Sequence, residues 1–236
     1  NFMNNNNMKF IHARDPQSVN WIEKKATPAI KVLEAPDIVC ALDFPKAVKP
    51  LGAPILGVVT RQRNSTTNKP DDYSRVIELC NYAANKGWRI RHIILGNMDT
   101  GKKDVINSTN LNVVNKELVY TESLEEMMIA IGECTAFASM KFHGTVVATM
   151  YQVPSIVMIP TNKNRNFMAR IGLDNQVSSF DADNLIEVFD SLPARLDESV
   201  VMELRSRSLN LMMSLKDAIA TEFDISTKLK ENSVLV

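Results

Sequence analysis

Short apolar runs alternate along this chain with stretches whose apolar residues repeat at helical spacing. The runs are Ile38–Leu42, Pro54–Thr60, Ile90–Gly96, Glu117–Thr121, Ala136–Met140 and Ser155–Pro160. Each run has the length of one β-strand, and most contain Val or Ile. Two of the intervening stretches, Asp71–Gly87 and Ser123–Ile131, predict helices. Strands separated by helices of this length predict βαβ units, so we expect an α/β fold of Rossmann-like parallel sheets with flanking helices.

The overall charge excludes a broad class of partners. Lys and Arg number 27, as do Asp and Glu, so the net charge is zero and nothing favours bulk attraction to nucleic acid.

The glycines form neither a GxGxxG fingerprint nor a P-loop, and the sequence contains no HExxH and no GxSxG motif. No His/Cys cluster at ligand spacing is present, so we expect no metal. An anion site would have to be built locally.

The cysteines and the apolar runs indicate a cellular compartment. Cys40, Cys80 and Cys134 lie within or beside apolar runs and none has a CxxC partner, which predicts reduced core thiols. No uninterrupted apolar run reaches about 18 residues, so we expect no transmembrane segment. The first residues contain no apolar segment typical of a signal peptide. These features predict a cytoplasmic protein, and none of them indicates an oligomeric state.

A cluster of Pro and Gly within Lys46–Pro54 marks a boundary in the chain. We predict that residues 1–50 are the end of an N-terminal Rossmann-like lobe and that 51–190 form a C-terminal Rossmann-like lobe. Residues 191–236 are predicted to be a helical segment that packs back on the lobes. The chain starts with Asn and without an opening strand–helix unit, so we expect an incomplete first lobe and a longer parent protein.

The last part of the chain has helical spacing from Asp181 to about Phe223. Its Met-rich stretch, 211–213, has the composition of a packed core because Met fills irregular apolar gaps. We therefore expect these methionines to be buried.

Residues that could carry chemistry are concentrated after residue 139. A strand is expected to end near Met140, a turn carries Lys141 and His143, and a helix follows Gly144. This order places a cation, an imidazole and the first amides of a helix at the carboxyl edge of a sheet, where an anion would be held. A single His is more often structural, but the cation two residues before it favours a functional role.

This segment resembles the polysaccharide pyruvyl transferase family. The resemblance rests on a basic-x-His-Gly motif at a helix start, on Gln152-Val153-Pro154, and on a strand followed by a polar loop with Lys163 and a helix ending at Ile171-Gly172-Leu173. Arg14-Asp15-Pro16-Gln17-Ser18 is similar to the Arg-Asp-x-x-Ser segment of the family. In order and spacing the resemblance covers about residues 11–190. Lys141 stands where the family commonly has Arg.

The resemblance implies a GT-B-like two-lobe architecture and a transferase. Its donor would be phosphoenolpyruvate, and no further cofactor would be needed. The enolpyruvyl group would be transferred to two hydroxyls of a saccharide acceptor as a ketal, in the biosynthesis of a cell-surface polysaccharide or glycan.

The same resemblance implies roles for individual residues. His143 would be the catalytic acid and base, because imidazole has the ordinary pKa closest to neutrality. Lys141 and Arg14 would hold the phosphate and carboxylate of the donor, with Arg61 and Lys163 as further candidates.

Five further residues have roles that remain open or minor at this point. Gly144 allows close approach of a backbone, and Asp104 is either a helix cap or a sugar ligand. His12 is either a cleft residue or a half-buried strand residue, and His92 is expected to be structural. Asp15 is expected to cap a helix with Pro16 at its first position.

Two other functions remain open from the sequence. One is a GT-B glycosyltransferase that uses a nucleotide sugar, which would need an acidic residue near the ribose, and Glu133 is a poor candidate for it. The other is a catalytically silent binding module derived from the family.

Overall fold

The computed structural model describes residues 8, 10–25, 30–61, 72–96, 101, 104–105 and 108–233, with side chains described as far as residue 221. The strands are β1 (Phe10–Ala13), β2 (Lys31–Glu34), β3 (Ile55–Val59), β4 (Arg89–Ile93), β5 (Glu117–Val119), β6 (Ala136–Ser139) and β7 (Ser155–Val157). The helices are α1 (Pro16–Glu23), α2 (Ser74–Asn85), α3 (Leu124–Gly132), α4 (Phe142–Met150), α5 (Asn162–Arg170), α6 (Leu185–Asp190) and α7 (Glu198–Ser233). These elements fall into two compact units, residues 1–42 with 202–236 and residues 43–201.

The first unit is built on a parallel pair of strands. β1 and β2 pair with Ile11 opposite Val32, and α1 connects them. As predicted, Asp15 caps α1, since its Oδ1 accepts a hydrogen bond of 2.8 Å from the amide of Ser18, and Pro16 is the first helical residue. This cap sets the point at which the chain leaves β1 for the helix.

Two predictions in the first unit are wrong. Residues 38–42 do not form a strand, because Asp37 accepts a hydrogen bond from the amide of Val39 and starts a 3-10 turn over Ile38–Ala41. The strand of this region is β2, whose sequence KVLE lacks a continuous apolar run. Met212 and Met213 are 41% and 56% exposed, because α7 buries Leu204, Ser208 and Leu211 on another face.

The second unit contains a parallel sheet with the strand order β5-β4-β3-β6-β7. Val58 of β3 lies opposite His92 of β4, and Val59 lies opposite Ser139 of β6. The chain runs outward from β3 through β4 to β5 and then returns to β6 on the other side of β3. The order of the strands therefore reverses at the junction of β3 and β6. The predicted α/β class, with parallel sheets and flanking helices, is confirmed.

The core of this unit lies between β3, β6 and two helices on one face of the sheet. α2 contributes the buried residues Val76, Leu79, Cys80 and Ala83, which repeat at the spacing the sequence predicted. Gly87 follows α2 with φ +84°, a conformation that glycine adopts without strain. α6 packs on the same cluster through Leu185, Val188 and Phe189.

The helices that follow β5 and β6 start differently. α3 has Ser123 at its N-cap position, where the side chain accepts a hydrogen bond of 3.3 Å from the amide of Glu126, and Glu125 and Glu126 occupy its first turn. α4 has Lys141 at its N-cap position, no acidic residue in its first turn and no side-chain cap. The lysine ammonium has no acceptor atom to offer the first amides of the helix.

The three cysteines are free and buried, as the sequence predicted. Burial raises the pKa of Cys80 and of Cys134 to about 12. The domain boundaries predicted at residues 50 and 190 remain predictions.

Candidate functional site

The candidate site lies at the carboxyl edge of the five-stranded sheet, where the order of the strands reverses. In open parallel sheets a crevice opens at this point, because the connections from the two neighbouring strands leave toward opposite faces. Here the two strands are β3, followed by Thr60 and Arg61, and β6, followed by Met140 and Lys141. The Lys141-Phe142-His143-Gly144 motif therefore starts α4 beside the reversal point.

Hydrogen bonds fix the turn between β6 and α4. The Ser139 hydroxyl accepts a hydrogen bond of 3.1 Å from the Lys141 amide and donates one of 2.8 Å to the Lys141 carbonyl. The Met140 amide donates to the carbonyl of Val59 on β3 at 2.9 Å. A Cβ at Gly144 would lie 2.8 Å from the Ser139 hydroxyl and 2.7 Å from a methyl of Leu95, so glycine lets α4 start directly against the strand end.

Lys141 is paired with a buried carboxylate. Its ammonium contacts the Asp104 carboxylate and donates to the Leu95 carbonyl. Asp104 is only 4% exposed. The pair joins the start of α4 to the chain that follows β4, and it places a buried negative charge beside the Lys141 ammonium.

His143 and Lys163 are exposed side chains that contact the same aromatic ring. The Phe142 ring lies 5.5 Å from the His143 ring between centroids, and the Lys163 ammonium lies 5.2 Å from the Phe142 centroid. Lys163 is in the first turn of α5, not in the loop that the sequence predicted, because α5 begins at Asn162.

The end of β3 is held by buried polar groups. The Thr60 hydroxyl and Nε2 of His92 are 2.9 Å apart, and the Tyr73 hydroxyl donates to the carbonyl of Arg61 at 3.2 Å. Burial, together with a smaller contribution from the positive charge of Lys116, lowers the pKa of His92 to about 4. His92 is therefore neutral near pH 7 and structural, while the Arg61 side chain is exposed.

His12 and Arg14, the remaining candidates, belong to the first unit. Nε2 of His12 is 3.0 Å from the carbonyl oxygen of Ala35, and His12 is half-buried in β1. The guanidinium of Arg14 donates to the Asp37 carboxylate at 2.6 Å. Both side chains are thus held by the chain segment that follows β2.

A sequence profile named polysaccharide pyruvyl transferase matches residues 4–162. The chain belongs to this family. The match includes β1 to β7 of both units and the Lys141-Phe142-His143-Gly144 motif. No curated protein sequence matches the chain.

Solved structures support the fold of this pyruvyl transferase family member. A Listeria monocytogenes protein assigned as a UDP-N-acetylglucosamine 2-epimerase is similar over 92% of this chain and 60% of its own, with a TM-score of 0.56 at 11% identity. UDP-GlcNAc 2-epimerases from Methanocaldococcus jannaschii and Neisseria meningitidis are similar over 70% of this chain and 45% of theirs. Their TM-scores are 0.50 and 0.51, at 10% and 12% identity. These GT-B-like neighbours show the fold alone, and the chain spans three fifths or less of their length.

Glu133, the candidate ribose ligand of the nucleotide-sugar alternative, is part of an ion-pair network. Arg91 donates to Glu133 at 2.7 Å and to Glu117 at 3.0 Å, and it also donates to the Ala130 carbonyl. Glu133 follows α3 and precedes β6, so it lies toward the amino ends of the strands. This position is opposite to the edge that carries His143.

No sequence motif marks two aromatic residues of the candidate site. Phe142 and Tyr73 gave no signal, since an aromatic residue within an apolar pattern predicts only a core position.

Within the part of the chain that the structure describes, no group of His, Cys, Asp and Glu residues is arranged to hold a metal ion. The described helices also include none that is both long and apolar enough to cross a membrane.

Proposed function

We propose that this protein transfers the enolpyruvyl group of phosphoenolpyruvate to a saccharide as a ketal. Family membership supports the reaction type. The observation that carries the proposal is the start of α4, where a lysine, an exposed histidine and uncapped helical amides meet at the carboxyl edge of the sheet. Positive charge and a helix N-terminus together favour an anionic ligand such as phosphoenolpyruvate.

The reaction requires one proton to reach carbon. Protonation of the methylene carbon of phosphoenolpyruvate makes the adjacent carbon electrophilic, and a sugar hydroxyl adds to that carbon. The carbon–oxygen bond to phosphate then breaks, and a second hydroxyl adds at the same carbon. The two hydroxyl protons end on the new methyl group and on the released phosphate, so the products are a ketal carboxylate and hydrogen phosphate.

His143 is the proposed acid and base for these proton transfers, because imidazole exchanges protons near neutral pH and this side chain is exposed at the helix start. Arg61 and Lys163 are the proposed cations for the phosphate and carboxylate. Both side chains are exposed, whereas Lys141 already forms an ion pair with Asp104. Lys141 would then mainly fix the geometry of the helix start, with Gly144.

The remaining elements of the proposal come from the resemblance to the family. Arg14 is a further candidate for the donor carboxylate, and His12 and Asp104 for the acceptor. The acceptor would be a saccharide precursor of a cell-surface polysaccharide, and the reaction would take place in the cytoplasm without a further cofactor.

The test is phosphate release by the full-length protein. We expect release only when phosphoenolpyruvate and a saccharide acceptor are both present, with the acceptor gaining a pyruvyl ketal detectable by mass spectrometry. His143→Ala should lower kcat by about 10²–10⁴-fold while the melting temperature is unchanged. Wild-type turnover retained in that variant would exclude His143 as the acid and base.

Ligand stabilisation separates the alternatives. Stabilisation by phosphoenolpyruvate and not by UDP supports the proposal, and the reverse result would indicate a nucleotide-sugar glycosyltransferase. If neither ligand stabilises the full-length protein and no phosphate is released, the proposal is wrong and a binding module remains.

A further inference from the structure

Phe142 is a buried aromatic residue at the centre of the candidate site. It is 8% exposed and is the first residue of α4. Its ring contacts His143 on the same helix and Lys163 on α5, with centroid distances of 5.5 Å to the imidazole and 5.2 Å to the ammonium. Phe167 packs against the same ring edge-on, at 5.6 Å and an interplanar angle of 81°. One side chain therefore connects two exposed candidates from different helices.

The position of Lys163 is unfavourable for the helix that carries it. α5 has no acidic residue in its first turn, and Lys163 is the second residue of the helix. The partial positive charge of a helix N-terminus repels a cation there. An ammonium within about 6 Å of an aromatic face is attracted by the negative face of the ring, and the Phe142 ring meets this condition. Phe142 thus offsets the repulsion and holds the flexible lysine in one place.

We propose that Phe142 is a positioning residue that holds the Lys163 ammonium over its ring at the start of α4, so that Lys163 and His143 act on one bound phosphate. The inference rests on the proposed function, because it requires an anion at the start of α4. Phe142 exchanges no proton and binds no substrate. It acts through Lys163, and its main effect is on the affinity for the donor.

Phe142→Leu tests the inference in the full-length protein, because leucine keeps an apolar side chain and removes the ring. We expect the KM for phosphoenolpyruvate to rise about two- to fivefold with kcat changed far less, because the ammonium loses its fixed position. Phe142→Tyr keeps the aromatic face and should restore the wild-type KM. Combining Phe142→Leu with Lys163→Met should give no larger effect than Lys163→Met alone.

Phe167→Leu is the matched control, since it removes a ring of the same size from the same cluster. It should leave the KM for phosphoenolpyruvate unchanged and only lower the melting temperature. Equal effects of the two leucine variants on KM, or full additivity of Phe142→Leu and Lys163→Met, would overturn the positioning role and leave Phe142 as packing.

The affinity for inorganic phosphate, measured by calorimetry, separates this inference from the proposed function. Loss of phosphate affinity in Phe142→Leu but not in Phe167→Leu supports the positioning role even if phosphoenolpyruvate is not turned over. Phosphate affinity that is the same in wild type and in both leucine variants contradicts the positioning role, whether or not phosphoenolpyruvate is turned over.

Discussion

α3 and α4 each follow a strand of the five-stranded parallel sheet, but the side chains at their starts differ in charge. α3 begins with a serine that caps the helix and continues with Glu125 and Glu126, which suit the positive end of the helix dipole. α4 has Lys141 at its N-cap position and His143 in its first turn. It has no acidic residue in that turn and no side-chain cap.

Under the proposed function, the difference separates a helix start that stabilises the fold from one that binds an anionic ligand. At α3 the Ser123 hydroxyl accepts from one helical amide, and the two acids offset the positive end of the helix dipole within the chain itself. At α4 the chain instead places Lys141, which is paired with Asp104, and the exposed His143, and an anionic ligand would complete the electrostatics. Three of the following predictions exchange or remove features that distinguish the two helices, and one compares the buried His92 with the exposed His143.

His143→Glu gives α4 the acidic residue that α3 already has. We expect phosphate release to fall by about 10²–10⁴-fold, because a carboxylate repels the donor and replaces the proposed acid and base. The free energy of unfolding should rise by about 0.5 kcal/mol, because the new carboxylate suits the helix dipole. Urea denaturation and a phosphate assay measure the two effects. His143→Gln is the uncharged control, and it should lose activity without gaining stability.

The buried His92 contrasts with the exposed His143 and gives a pH dependence of stability. Its pKa is lowered from 6.5 to about 4 in the folded protein. Between these values the unfolded chain binds the proton and the folded protein does not, so the free energy of unfolding should fall by about 1.4 kcal/mol per pH unit as the pH decreases.

Urea denaturation of wild type and of His92→Leu between pH 7 and pH 4 checks this prediction. The wild-type slope should exceed that of the variant below pH 6.5, while Thr60→Val, which keeps the imidazole buried, should retain it. Equal slopes in wild type and His92→Leu would contradict the prediction.

Lys141→Met tests whether the cation at the start of α4 also has a structural role. The change leaves the Asp104 carboxylate buried without its partner, so we expect a loss of about 2 kcal/mol in the free energy of unfolding. Adding Asp104→Asn removes the unpaired charge and should recover most of the loss. If the double variant is as unstable as the single one, the unpaired Asp104 carboxylate is not the cause of the lost stability.

Ser123→Ala removes the cap that distinguishes α3, and it should have the smallest effect. We expect a loss of about 1 kcal/mol in the free energy of unfolding, because one helical amide loses its acceptor. Phosphate release should not change, and Ser123→Asp should keep the stability. A fall in turnover in Ser123→Ala would mean that the start of α3 also contributes to the site.

Much of the second unit could be predicted from the sequence because its signals are local. The apolar runs gave β3, β4, β5, β6 and β7 with shifts of a few residues at their ends. Helical spacing gave α2, and Ser123 and Asp15 marked the starts of α3 and α1. Each of these signals depends on residues within about one helical turn or a few strand positions.

The predictions failed where packing overrides a local pattern. An apolar run at 38–42 became a 3-10 turn, because Asp37 supplies a local hydrogen-bond acceptor. β2 was missed because its four residues are a short mixture of polar and apolar types. Met212 and Met213 are exposed, since the same helix buries another face, and composition does not say which face is covered.

The sequence by itself determined that a Lys-x-His-Gly motif starts a helix directly after a buried strand, because strand periodicity and helix-start signals are local. The tertiary structure decided what those side chains contact. Lys141 is joined to Asp104, His92 to Thr60, and Lys163 to Phe142. Such contacts depend on the register of the sheet and on the packing of helices far apart in the chain. Only folding brings these groups together.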